Sequence, residues 1–295
     1  MKILISGTSG LVGTALVKSL RSAGDEVVCL VRKETSGSDC LVWNPSSGRI
    51  NPTDCEGFDV IIHLGGENIA NGRWTAKRKQ QIRDSRVVST QLLADTIRQL
   101  KKPPGVFACA SAVGLYGNRG NELLTEISHA GTGFLAEVVR DWEAAANASS
   151  SVTRVIDLRF GVILTPTGGA LAKMLPAFRF GLGGKVGDGK QYWSWISLPD
   201  VVSAIEFTVR TKSLVGPVNI VSPQPLTNLE FTNALGHVLN RPTIIPLPAF
   251  AARLLLGEMA DAALLASTRV EPVKLKAAGY QFRHPELAKA LRELL

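Results

Sequence analysis

Aromatic residues are few, 6% of 295, and the 33 Lys and Arg are scattered, their densest run being Lys77, Arg78 and Lys79. Single-stranded nucleic acid needs rings to stack on as well as a basic track, so the net charge of +8 reads as a solvated, anion-tolerant surface and nucleic acid is not expected as a partner. Cysteine is also sparse. Cys29, Cys40, Cys55 and Cys109 are never spaced as C-x-x-C, and buried free thiols in a reducing compartment fit them best. The four histidines, His63, His129, His237 and His284, lack the short spacings of metal-ligand pairs, so no metal site is expected. A Walker loop and a G-x-S-x-G elbow are missing too, which argues against ATP use and Ser-triad hydrolysis. No uninterrupted apolar run approaches the roughly 18 residues of a membrane span, and Met1 to Ile5 reads as a strand rather than a signal peptide. The expectation is a soluble protein of the cytoplasm, or of an organellar stroma or matrix if a transit peptide has been removed, with no membrane partner.

With 45% hydrophobic and 20% charged residues, the chain can bury a substantial core. Apolar runs near 2–6, 26–31, 41–43, 59–64, 106–111 and 154–160 predict strands, and helix-period segments near 11–23, 75–99 and 132–147 lie between them. That alternation predicts an α/β fold, a parallel sheet wound on both faces by helices. After Arg159 the texture turns to glycine-rich stretches, prolines and short helices, with Pro217 to Val221 as a late strand returning to the sheet. The expected division is a dinucleotide-binding domain over 1–164, joined by 191–222, and a smaller, mostly helical substrate lobe from 165–190 and 223–295.

The run Gly7-Thr8-Ser9-Gly10-Leu11-Val12-Gly13 stands between the first strand and the first helix. Gly7 permits the sharp turn, Gly10 lets amides approach a pyrophosphate, and Gly13 lets helix and sheet pack closely, while the helix N-terminus favours the phosphates. Nineteen positions past Gly13, where an acid would bind an unmodified ribose, Arg32 and Lys33 stand instead. A guanidinium suits a 2′-phosphate, so NADP(H) is the expected cofactor; a solvated charge at a strand end is the plainer alternative.

These features resemble the extended short-chain dehydrogenase/reductase family, which includes nucleotide-sugar epimerases and dehydratases, over nearly the whole length. Leu64-Gly65-Gly66-Glu67 looks like its cofactor-contacting turn, Ala110 to Gly117 like its catalytic-serine strand end, and Leu158 to Leu164 like the strand passing the nicotinamide. The chain is most similar to an atypical, epimerase-like branch, through Trp74 and Ser85-Arg86, Phe178 to Gly184, Gly187 to Gln191, Trp195-Ile196-Ser197 before Asp200, and a tail from Pro246 to Phe282. The resemblance implies a Rossmann-type fold and cofactor contacts from Gly7 to Gly13, Arg32, Leu64, Gly65, Glu67, Arg86 and Arg159. It also brings a second function class, because members of this branch are described as cell-division or plastid-division inhibitors.

One departure is chemical. The family's Tyr-x-x-x-Lys pair, which moves a proton in step with the hydride, is absent: Tyr116, Tyr192 and Tyr280 are followed four positions on by Gly120, Ile196 and His284. On the expected helix, Phe134 or Leu135 stands where the phenol belongs. Ser111 and Tyr116 are the candidate catalytic residues, with Lys173 and Tyr192 as further proton donors if they fold into the cleft. Arg86 is weighed against a surface ion pair, Glu67 against a loop charge, Gly181 to Gly189 against a mobile loop, and Trp193, Trp195 and His63 read as packing residues. Two functions stay open: an NADP(H)-dependent oxidoreductase or epimerase-like enzyme acting on a small polar or anionic substrate, and a catalytically weak NADP(H)-binding regulator with a protein partner. A homodimer through two sheet-flanking helices is common in the family.

Overall fold

A computed structural model describes residues 1–33 and 39–295. Its strands are β1 (Lys2–Ser6), β2 (Glu26–Val31), β3 (Cys40–Val42), β4 (Val60–His63), β5 (Val106–Ala112), β6 (Leu123–Leu124), β7 (Arg154–Phe160), β8 (Val162–Thr165), β9 (Tyr192–Trp193), β10 (Trp195–Ser197), β11 (Gly216–Ile220), β12 (Leu226–Thr227) and β13 (Arg269–Val270). The helices are α1 (Leu11–Ser22), α2 (Ala76–Gln99), α3 (Phe134–Asn147), α4 (Gly169–Arg179), α5 (Leu198–Arg210), α6 (Asn228–Leu239), α7 (Ala249–Leu256), α8 (Val273–Ala277) and α9 (Leu287–Leu294). Seven strands form one parallel sheet in the order β11-β7-β5-β4-β1-β2-β3. This is the Rossmann-type doubly wound architecture anticipated from the sequence, the late strand included.

Alternation along each strand produces the layers. Ile3, Ile5, Val60, Ile62, Val106 and Ala108 face one core with Leu16 and Leu20 of α1 and Val201 and Ile205 of α5. Leu4, Ile61, Phe107 and Cys109 face the other, with Leu93 and Ile97 of α2 and Trp142 of α3. From β1 the chain winds one way through β2 and β3 and the other way through β4, β5, β7 and β11. The switch point is therefore between β1 and β4, where open α/β sheets leave a crevice beyond the carboxyl ends of their strands.

A smaller core gathers α4, α6 and α9 around Trp193 and Trp195. Both indoles act as packing groups with satisfied N–H groups: Trp195 donates to Gln224 O and Trp193 to Leu264 O. Part of the tail leaves this lobe, since Leu275 and Tyr280 pack into the core of the main sheet beside Val218 and Ile220. The 181–190 stretch is pinned to the lobe by Val186 N–H to Asn228 Oδ1 and by Gly187 N–H to Leu247 O. No helix among the described residues is long and apolar enough to cross a membrane.

Asp200, in the first turn of α5 and 1% exposed, anchors the tail. Its carboxylate accepts from the backbone N–H groups of Arg283 and His284, from Ser197 Oγ and from Tyr280 OH. Asp200→Ala leaves those buried donors without an acceptor and should cost about 3 kcal/mol of unfolding free energy in a urea titration. A loss within about 0.5 kcal/mol would mean that the tail docks without it.

Candidate functional site

The glycine loop closes directly over the end of β1. Gly7 has φ +77°, and a Cβ there would meet Leu64 C at 2.7 Å; one on Gly13 would meet Gly7 O at 2.2 Å. The loop is held by Gly10 N–H to Gly7 O at 3.0 Å and Thr14 Oγ1 to Thr8 O at 3.0 Å. The N-cap of α1 is Gly10, which offers no side chain to the first-turn amides, so those donors remain for an anion. Ser9 and Gly10 are exposed, and Val12 and Leu64 line the adjoining cleft. Ser6 pairs in register with Leu30, so exposed Arg32 follows the end of β2 level with the loop.

Beneath the loop, His63 Nδ1 lies 2.5 Å from Ser6 Oγ and its Nε2 lies 3.1 Å from Ser89 Oγ. Ser89 gives its own proton to Ser85 O, so it accepts from Nε2–H and the ring's Nδ1 accepts from Ser6. Burial pushes His63 down to about 3, keeping the ring neutral. It is the satisfied core histidine that its strand context suggested.

A cleft of about 420 Å³ opens between the start of α1, the turn after β4, the end of β5, α2, α3, the β7 to β8 junction, β9 and the segment after α7. Arg86 lines it with no ion-pair partner among the described residues: the guanidinium donates to Glu67 O at 3.0 Å and Ile82 O at 3.0 Å and lies over Trp142 at 5.2 Å. Burial lowers its pKa to about 10, with Glu67 opposing, and a Cβ on Gly66 would come within 3.3 Å of it. A cation held mainly by carbonyls at a cleft wall is suited to meeting an anion. Gly65 lines the same wall, whereas Glu67 turns its carboxylate to Arg78 at 3.2 Å, so the polar contribution of Glu67 to this wall is its carbonyl.

Ser111 also lines the cleft, at the end of β5, and donates to Glu143 Oε1 at 2.6 Å. Glu143 in turn takes a bidentate pair from Arg159, at 2.7 and 2.8 Å. Arg159 completes its bonding on Tyr116 OH at 2.8 Å and Glu126 O at 3.2 Å, and the Tyr116 hydroxyl donates to Asn219 Oδ1 at 2.8 Å. Two of the candidate residues turn away from the cleft. Arg159 is spent on Glu143 and lies behind the cleft wall, because β7 presents it toward α3 and the buried cation takes the nearest carboxylate. Tyr116 is 0% exposed, its oxygen occupied on both sides and its pKa raised by burial, so it presents no phenol to the cleft.

Among the chain's three tyrosines, Tyr192 is the one that lines the cleft; Tyr280 is buried against Asp200 and Ser203. Arg269 stacks on the Tyr192 ring at 4.9 Å. Lys173 points instead to Ala70 O at 3.4 Å, and no residue of 181–190 lines the cleft. The α3 wall is apolar: Leu135, Val138, Val139 and Trp142 face the cleft, while Phe134 leaves it to meet Trp74 edge-on at 5.2 Å. Leu135 and Val139, four positions apart on α3, both present aliphatic side chains to the cleft. Sequence reasoning missed Glu143 and the Ala262, Ala263 and Ala266 wall. Helical spacing from Leu135 through Val139 to Glu143 was a usable signal for the first, but nothing local marks the alanines.

The model of the NAD dependent epimerase/dehydratase family matches residues 3–221, and a domain of unknown function, DUF1731, matches 247–294. The epimerase family protein Mb2239 of Mycobacterium bovis is 44% identical over 292 residues, 98% of this chain and 96% of that protein. The human epimerase family protein SDR39U1 is 35% identical over 298 residues, 100% of each. A crystal structure of that human protein (isoform 2) with NADPH has a TM-score of 0.92 at 34% identity, covering 100% of this chain and 99% of that one. MoeE5 with UDP-glucuronic acid and NAD, at 20% identity and a TM-score of 0.78 over 99% and 96%, shares the fold.

Behind the same wall, Asp157 is 2% exposed; it accepts from Asn147 Nδ2 at 3.0 Å through Oδ2 and leaves Oδ1 without a partner. Burial and then the Glu143 charge push its carboxyl up to about 7, from 3.8. The folded chain therefore holds this proton more tightly than the unfolded chain, and the stability it contributes is full below about pH 4 and lost as pH rises through about 7. Asp157→Asn removes the titration, so the variant's stability relative to wild type should climb from about pH 4 to about 7, by at most roughly 1.4 kcal/mol per pH unit, and then level off. Parallel stability curves would show that the buried carboxyl is already ionised.

Proposed function

The chain belongs to the NAD dependent epimerase/dehydratase family, and from that membership we propose that it binds NADP(H) in the β1 to α1 crevice and transfers hydride to or from a small polar or anionic carbonyl or alcohol substrate. The observation that carries this reading is the glycine cradle beneath an α1 N-terminus with no side-chain cap. Arg32 beyond β2 favours the 2′-phosphate, in keeping with the human relative's crystal structure with NADPH. Bound there, NADP(H) supplies the hydride acceptor or donor at its nicotinamide. The protein's own part is to orient the substrate and move the proton. Ser111, whose O–H is committed to Glu143, offers lone pairs to the cleft and so accepts from a substrate donor. Tyr192, facing the cleft, is the group to exchange a proton with the substrate oxygen, and Arg86 attracts an anionic portion. Tyr192, Trp193 and Ser194, with Ala262, Ala263, Ala266 and Thr268 of the tail, supply the opposite wall.

A second reading is a catalytically weak NADP(H)-binding regulator, for example of cell or plastid division. The apolar Leu135 and Val139 wall favours it, as do the exposed Phe180, Ile244, Phe250 and Leu254, a surface that a protein partner would cover.

Thermal denaturation with NADPH, NADP, NADH and NAD separates the outcomes, since ligand at ~100 times its Kd adds about 2.7 kcal/mol. The expected result is a selective rise with NADPH or NADP, weakened far more than any NADH response in Arg32→Ala. No rise with any of the four would refute the cofactor reading. On carbonyl or sugar-nucleotide substrates, Tyr192→Phe should lower kcat by about 10²-fold or more at nearly unchanged NADPH affinity. Ser111→Ala should lower turnover too, again sparing affinity. Absence of turnover alongside tight NADPH binding would favour the regulator.

A further inference from the structure

Strands β2 and β3 pair in parallel with Cys29 directly opposite Cys40, so the two side chains leave the same face of the sheet. Neighbouring strands lie about 4.8 Å apart, within the roughly 4.4–6.8 Å that a disulfide spans between Cα atoms. The flanking ladder is secured by Cys29 N–H to Asp39 O at 2.8 Å. β3 is three residues long and ends the sheet, so it can close toward β2 without breaking a second ladder. On its other side Cys29 pairs with Ile5 of β1, two residues before Gly7 of the glycine loop. Cys29 is three residues before Arg32, and both thiols are free in this structure. Cys55 and Cys109, each 1% exposed, have no such neighbour.

We infer that Cys29 and Cys40 form a reversible disulfide beneath the nucleotide loop, made by peroxide-class oxidants and broken by dithiols, whose oxidised form holds NADP(H) more weakly. Cys40 is the more exposed sulfur and meets the oxidant first. Its thiol takes the peroxide's terminal oxygen to become a sulfenic acid, and the peroxide leaves as water or an alcohol. The Cys29 sulfur then displaces that oxygen: the S–S bond forms, the S–O bond breaks, and water departs with the Cys29 proton. Two electrons pass from the thiols to the peroxide, and a dithiol returns them by exchange. Burial raises the Cys29 thiol pKa, which suits it to the second, resolving step rather than the first. Closing the bond pulls Cys29 toward β3 and shifts the strand end that carries Arg32. This coupling rests on the NADP(H) reading above.

The test starts from the reduced full chain, whose NADPH affinity is measured by calorimetry. The protein is then treated with hydrogen peroxide, quenched, digested without reductant and examined by mass spectrometry. The expected product is a peptide pair joining Cys29 to Cys40, two hydrogens lighter than its parts and separated by dithiothreitol, together with a several-fold weaker NADPH affinity that dithiothreitol restores. Cys40→Ser, at the sheet edge, should bind NADPH normally and ignore peroxide; Cys40→Ala serves if the serine variant folds poorly. Peroxide products limited to sulfinic or sulfonic acids, other cysteine pairings, or a cross-linked protein that binds NADPH as tightly as before would overturn the inference. A reduced wild type that does not bind NADPH overturns the cofactor reading instead, and the masses still decide the disulfide.

Discussion

The bidentate pair between Arg159 and Glu143 is the contact on which the cleft's inner wall depends. It joins β7 to α3, and the Oε1 that accepts from Arg159 Nε also accepts from Ser111 Oγ at the end of β5. Through Tyr116 it reaches Asn219 on β11, and Asn219 in turn donates to Glu271 O near α8. Desolvating two charges is expensive, and such a pair is favourable only when its remaining hydrogen-bonding capacity is filled. Here it is filled, by a serine, a phenol and a backbone carbonyl. Removing either ion would leave the other buried and unpaired, a worse state than losing both.

That commitment explains much of the chemistry around it. An arginine and a tyrosine that could have faced a ligand are turned inward, and Ser111 is left able to accept toward the cleft. Helix α3 spends its one cleft-side carboxylate on the network and shows the cleft Leu135, Val138 and Val139. The cleft's remaining functional groups come from other elements: Arg86 from α2 and Tyr192 from the smaller lobe. Arg86 and Val12 at the start of α1 line the same cleft, yet the two positive features there are chemically separate, one a desolvated guanidinium held mainly by carbonyls and the other a set of aligned backbone dipoles.

At the outer end of the sheet the constraint is of another kind. The last three-residue strand has one neighbour, and its cysteine stands beside a cysteine paired to the strand that leads into the loop. Strand register rather than sequence spacing creates this pair, since eleven positions separate Cys29 from Cys40. Both loop and strand end are thereby joined to a part of the sheet that is easier to displace than its centre.

The order of strands and helices through Phe160, the late strand at 216–220 and the glycine loop were legible in the sequence, because each is governed by local rules: side-chain period, glycine at a tight turn, an open helix N-terminus. His63 was legible for the same reason, ending a strand whose preceding residues are all apolar and buried. The direction of a polar side chain was not. Ser111, Tyr116 and Arg159 all stand at the ends or edges of strands where a ligand would lie, and the strand pattern treats them alike. Only the packed structure decided that Glu143 lies within reach of Ser111 and Arg159 and that Tyr116 points at Asn219. It also decided that Tyr192 alone among the tyrosines meets the cleft. Propensity and periodicity specify which face a residue occupies, while the partner waiting on that face comes from distant chain segments brought together by the fold.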